Sequence, residues 1–145
     1  MNIYDLISLS TAFLYAIPII GYTFSGNIIH IKAFVGLFAT MGLGESIKYF
    51  VIKETSPRPS AARDCNLWCN DGPQGGKPGM PSGHSSQTAF FASFYYYQTN
   101  NVWIRAGLIL YELLVILSRY QKHCHTVPQI AAGTLFGLFM SWCVR

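Results

Sequence analysis

Two histidines, two arginines and a serine stand out in a chain that is otherwise poor in polar side chains. His84 closes the tetrapeptide Pro81, Ser82, Gly83, His84; His125 follows the pair Ser118 and Arg119 after five residues; Arg58 precedes Pro59. Ser82 is a good helix N-cap, Gly83 lets the backbone come close to a ligand, and the free amides of a helix N-terminus attract an anion. Arginine offers a planar fork that grips phosphate through paired N–H bonds. Histidine can attack, or hand over a proton, near neutral pH. The chemistry such a set could perform is phosphoryl transfer, whose charged transition state needs fixed positive donors. Taken singly, each residue has an ordinary explanation: a cap for Ser82, snorkelling for Arg119, a solvated turn for His125, a common loop dipeptide for Arg58.

Hydropathy and charge indicate the elements that must position these residues. Of 145 residues, 51% are hydrophobic and only 11% are Asp, Glu, Lys or Arg, against about 25% in a soluble domain. Residues 6–31, 78–104 and 123–144 carry no charge, while residues 53–78 hold seven of the sixteen. That is the charge map of a membrane protein with one polar loop. At roughly 20 residues per span, the expected fold is all-α: a single membrane-embedded domain over residues 1–145, an integral bundle of about five transmembrane helices. The spans fall at about 4–24, with a kink at Pro18, then 28–52, Ser82 to about Gln98, 102–119 and 126–144. The long loop, about 53–81, is rich in Pro and Gly; loops this long are usually functional or disordered. No basic segment and cleavage site open the chain, so the first apolar run is expected to remain as a span.

Sidedness follows from counting crossings. The end of the second span, the long loop, the start of the third, the end of the fourth and the start of the fifth share one side of the bilayer, with the N-terminus. These are the places where the unusual polar residues sit. The net charge of +4 comes from basic residues that form no run, so nucleic acid is not an expected partner. Lys32, Arg105 and Arg145 lie on the opposite side and leave the orientation open.

In order, spacing and sidedness the chain resembles the type 2 phosphatidic acid phosphatase superfamily. That pattern is Lys, six residues, Arg-Pro; then Pro-Ser-Gly-His; then Ser-Arg, five residues, His, three residues, Asp. The second motif is intact at Pro81 to His84 and the third through Ser118, Arg119 and His125. The resemblance implies His125 as a nucleophile that forms a phosphohistidine and His84 as general acid. Arg58, Arg119, Ser82 and Gly83 would hold the phosphate, and no metal or cofactor is implied.

Two positions depart from the pattern. Residue 51, seven before Arg58, is Val51, so the lysine of the first motif is either Lys48 or Lys53. Lys53 has a good alternative explanation in interfacial snorkelling, whereas Lys48 lies within an apolar stretch where a cation needs a reason. If Lys53, Glu54 and Thr55 are an insertion, Lys48 recovers the spacing. The orienting acid is replaced by Gln129, which can hold an imidazole tautomer but carries no charge. Gln at this place, with Gly79 and Met80 before the Pro-Ser pair, resembles the dolichyl-diphosphatase branch. The expected activity is therefore a membrane phosphatase acting on a polyprenyl diphosphate in a multi-pass, endoplasmic-reticulum-like setting among membrane lipids. The alternatives are a broad lipid phosphate phosphatase of the phosphatidic acid type, and a non-catalytic scaffold that keeps the fold.

Other polar residues are expected to be structural. Glu112, on the same helical face as Arg119, reads as an interior partner, and Glu45 as a neutralising partner of Lys48. His123 reads as loop, His30 has no evident partner, and Tyr95, Tyr96 and Tyr97 read as interfacial aromatics. Cys65 and Cys69 are expected to form a disulfide if the loop faces an oxidising compartment, with Cys124 and Cys143 unpaired.

Overall fold

The computed structural model describes residues 2–145, and within them every regular element is helical. Five rods are joined by three short turns and one long loop: α1 Ile3–Ser25, α2 Ile28–Thr55, α3 Gly83–Gln98, α4 Val102–Gln121 and α5 Val127–Val144. Each begins on a polar cap. Asn2 and Asp5 form a capping box, Asn27 and Asn101 accept from the first free amides, Ser82 accepts from Ser85, and Thr126 pairs with Gln129. α1 is α-helical at both ends but tightens to a 3-10 helix over Thr11–Tyr15. That stretch holds Leu14, whose carbonyl the Pro18 ring would otherwise meet.

α3 is the central helix. Ten of its sixteen residues are buried, and it packs against α2, α4 and α5. The core around it is Leu14, Ala33, Leu37, Phe90, Phe91, Phe94 and Met140. α5 comes closest, because Gly133 and Gly137 face the α3 backbone; a Cβ at Gly133 would lie 2.5 Å from the Ser82 carbonyl oxygen. Small residues four apart let two helices approach in this way.

Three helices, α1, α2 and α5, are long and apolar enough to cross a membrane; the sequence suggested about five. The difference has a physical cause. α3 is enclosed by its neighbours, so it can carry Ser85, Ser86, Gln87 and Thr88 inside the bundle. α4 carries Arg105, Glu112 and Arg119, yet its outer face presents Trp103, Ile104, Ile109, Leu110, Leu113 and Leu117. Exposed apolar surface this extensive marks a face made to meet something other than water.

Residues 56–82 fold back on themselves. Arg58 N donates to Lys77 O (2.8 Å), Gln74 N to Ala62 O (2.8 Å) and Gly79 N to Ser56 O (2.9 Å). The loop so closed lies at the end of the bundle where α3 and α5 start and where α2 and α4 end. Asp5 is at this end too, since Lys122 Nζ donates to its carboxylate at 2.6 Å.

Candidate active site

The second motif meets the start of α5 directly, the Ser82 amide donating to the Gln129 carbonyl at 3.0 Å. The N-termini of α3 and α5 thus meet, and their side chains converge. Lys48, Arg58, Gly83, His84 and His125 line one cavity of about 250 Å³, with Glu45, Asn66, Asp71, Gln74 and Gln87 among its other walls. Ser82 and Arg119 are fully buried, and neither is on the lining.

His125 is held from both sides. Its Nδ1 lies 3.3 Å from Gln129 Oε1, and its Nε2 lies 3.2 Å from Arg58 Nη1. Gln129 Nε2 donates to Pro57 O (2.8 Å) and to Ser56 O and Oγ (each 3.1 Å), which fixes the amide with its oxygen toward the imidazole. That oxygen only accepts, so Nδ1 carries the proton; a guanidinium only donates, so Nε2 presents a lone pair. Burial, and next the Arg58, Arg119 and Lys48 charges, hold this imidazole well below its ordinary value of 6.5. His125 is therefore neutral at pH 7, with its unprotonated nitrogen toward the cavity's cations, which is the state a nitrogen nucleophile requires.

Arg119 Nη1 donates to Ser8 Oγ (2.9 Å) and Nη2 to Cys65 O (2.6 Å). Its Nε, with His84 Nε2 and Glu112 Oε2, is a buried polar atom without a partner among the described residues. An anion between His84 and Arg119 would satisfy the first two. Lys48 is 2% exposed and paired with Glu45. It sits in a π-helical turn, Ile47–Ile52, followed by a separate 3-10 turn, Lys53–Thr55. These two irregular turns accommodate the extra residues between Lys48 and Arg58. Lys53 is not brought to this cavity: the end of the helix turns it outward to a separate open pocket with Tyr49, Glu54, Thr55 and Pro78.

Compared with known families, residues 29–145 match the PAP2 superfamily. This chain belongs to the PAP2 superfamily. No curated protein and no solved structure matches it. PAP2 superfamily members are phosphatases, so the activity class is phosphate hydrolysis of the lipid-phosphatase type.

Three expectations from the sequence are overturned in this PAP2 chain. Cys65 is bonded to Cys124, not to Cys69; Cys69 instead has its sulfur 3.1 Å from Lys122 Nζ. The folded-back loop brings Cys65 over the α4–α5 turn, which spacing along the chain could not reveal. Glu112 does not reach Arg119 but accepts from Thr134 at 3.4 Å, beside an apolar crevice of about 290 Å³. His30 does have a partner, the Tyr95 hydroxyl at 2.9 Å. Sequence reasoning also missed Gln87, one helical turn after His84, whose Oε1 accepts from Tyr15 at 2.7 Å. Its i+3 spacing was a usable signal; nothing local marked Ser8 as the support of Arg119.

Proposed function

We propose that this chain hydrolyses the terminal phosphate of a polyprenyl diphosphate of the dolichyl type, through a phosphohistidine on His125. The observation that most supports this reading is the neutral His125 with Nε2 directed to Arg58 within the cation-lined cavity. Nε2 attacks the terminal phosphorus, the bond to the bridging oxygen breaks, and His84 gives its proton to that oxygen as the monophosphate leaves. Water then attacks the phosphohistidine, giving its proton to His84. Inorganic phosphate departs, and Nε2 regains its lone pair. Lys48, Arg58 and the Gly83 amide hold the equatorial oxygens from the cavity wall, with Arg119 and Ser82 coming onto that wall and Arg58 turning from Nε2 to the phosphate when substrate enters.

The diphosphate assignment draws on Gln129 and the Gly79–Met80 pair, which resemble the dolichyl-diphosphatase branch. A cavity of about 250 Å³ is smaller than the roughly 300–1,000 Å³ sites that enclose a whole drug-sized ligand. It suits a head group whose tail stays in the bilayer. In this reading all five helices cross the membrane, α3 shielded by the others, in an endoplasmic-reticulum-like endomembrane. The test is phosphate release by detergent-purified protein from a panel of prenyl diphosphates, prenyl monophosphates and phosphatidic acid. Faster release from the diphosphates is expected. Preference for phosphatidic acid would replace the substrate class, and no release from any lipid would leave a scaffold.

A further inference from the structure

The Cys65–Cys124 disulfide lies where the two arginines cross. Arg119 belongs to α4 and donates across to the loop, at the Cys65 carbonyl (2.6 Å). Arg58 belongs to the loop and donates across to the α4–α5 turn, at the Cys124 carbonyl (3.3 Å). Each guanidinium thus rests on the peptide of one half-cystine, on the opposite side of the join from its own backbone. Cys124 is also the residue before His125, and Cys65 itself lines the cavity. Both half-cystines are buried, at 2% and 0% exposure.

The other ties from the loop to the helices lie away from this crossing: Gln129 Nε2 holds Ser56 and Pro57 at the loop's start, and Cys69 Sγ lies 3.1 Å from Lys122 Nζ. Ala62 packs against the two sulfurs, and Asp71 Oδ1 accepts from Cys65 N (2.6 Å) and Asn66 N (3.2 Å), which shapes the loop internally without tying it to the helices. Regular ladder bonding is confined to the isolated bridges Pro57 to Pro78 and Arg63 to Pro73, also internal to the loop. The covalent bond, closing 59 residues of sequence, is therefore a principal constraint on where the middle of the loop lies relative to His125. A crosslink of that span limits the freedom of the segments it joins.

We propose that the Cys65–Cys124 disulfide is a positioning link for phosphate transfer, holding Arg58, Arg119 and His125 in one geometry, so that efficient turnover belongs to the disulfide-bonded chain. It rests on the phosphatase reading above. A corollary is that the catalytic face, with the N-terminus, looks into an oxidising compartment. Reduction breaks the S–S bond and consumes two electrons and two protons, which a dithiol supplies as it closes to its own cyclic disulfide. The freed loop then lets both arginine forks drift from the carbonyls that aim them. Displacements of about 1 Å in such positioning groups cost on the order of 100-fold in rate.

The experiment compares the oxidised parent, the parent reduced by dithiothreitol with thiol counts by mass, and the double variant Cys65→Ala/Cys124→Val, which keeps apolar volume at the join without the bond. Cys69→Ser and Cys143→Ser are carried as background in all three, so that no third thiol exchanges. Turnover of a prenyl diphosphate and calorimetric binding of inorganic phosphate are both read below the melting temperature of each form. The expected result is a KM at least ten-fold higher, a lower kcat and phosphate binding weakened at least ten-fold in both unlinked forms, with recovery when the reduced parent is reoxidised. A lower melting temperature with unchanged kcat, KM and phosphate affinity would reduce the bond to a stabilising one and overturn the proposal. If the oxidised parent hydrolyses no lipid, the phosphatase reading fails; phosphate affinity of the linked and unlinked forms still decides whether the bond positions the arginines.

Discussion

Gly79 faces the side-chain amide of Gln129, so closely that a Cβ at Gly79 would lie 2.6 Å from Oε1 and 2.7 Å from Nε2. Two sequence features fifty residues apart are thus one packing unit: the glycine leaves the space that the glutamine fills. The amide cannot yield, because it is 1% exposed and bonded to His125, Thr126, Ser56 and Pro57. Gly79→Ala should cost about 1–3 kcal/mol by overpacking and slow phosphoenzyme formation, although residue 79 has no reactive group. Thermal melting and single-turnover labelling with a radioactive diphosphate would show both. A Gly79→Ala protein with the parent's labelling rate would mean that the amide can move without consequence.

Gln129 has two separable duties, which two substitutions divide. Gln129→Ala removes the acceptor for His125 Nδ1 and the donor to the Ser56 and Pro57 carbonyls; by analogy with partners that orient metal-bound imidazoles, about 10- to 100-fold in kcat should be lost. Gln129→Glu keeps an oxygen for Nδ1 but sets a carboxylate against those carbonyls, just before Arg58. It should retain more of kcat than the alanine variant while raising KM. Steady-state kinetics on one substrate, with circular dichroism to verify folding, separates these outcomes, and equal kcat in Gln129→Ala and parent would remove Gln129 from the mechanism.

The legible part of the site is what lies in short strings. Pro81 to His84 and Ser118 to His125 each hold their residues within one turn or cap, so local spacing is enough to group them. Lys48 was ambiguous because the turn that carries it is π-helical, and an irregular turn breaks any counting rule. The Cys65 partner was misread because nearness in the loop is decided by the fold-back between Arg58 and Lys77, a pairing with no periodic signature. The five rods are visible as apolar runs and the turn residues between them, but the central place of α3 is not. A helix surrounded by helices needs no apolar exterior, and its serines and Gln87 hid that position.

Lys48 and Lys53 make a controlled pair. Lys48→Ala should lower kcat/KM by about 100-fold or more, the size typical of losing one preorganised charge donor. Glu45→Gln, which frees Lys48 from its ion pair without removing it, should be far milder. Lys53→Ala should stay within about two-fold of parent, as surface substitutions do. Equal losses at the two lysines would contradict the separation of their pockets.

Charge stabilisation in this mechanism comes from Lys48, Arg58, Arg119 and the helix amides, so turnover should persist in EDTA. His125→Ala should abolish both turnover and the trapped phosphoenzyme. Acid lability with alkali stability of the trapped species would identify the bond as phosphoramidate. Loss of activity on chelation with restoration by magnesium would require a different mechanism.

The pH dependence follows from the depressed His125. Attack needs the neutral imidazole, and burial together with the Arg58, Arg119 and Lys48 charges resists its protonation below the ordinary 6.5. The acid limb of kcat/KM for phosphoenzyme formation, which reports the free enzyme, should therefore fall below pH 6.5. Arg58→Gln removes the nearest of those charges, so the limb should move to higher pH even as the rate drops. The same shift acts on stability. The unfolded chain takes up this proton near pH 6.5 while the native chain resists it, so His125 favours the fold above that pH. Its contribution is lost progressively as pH falls from 6.5 through the lower native value. His125→Gln should flatten that part of the melting-temperature profile. A parent limb above 6.5, or one that moves to lower pH in Arg58→Gln, would show that Arg58 does not set the charge of His125.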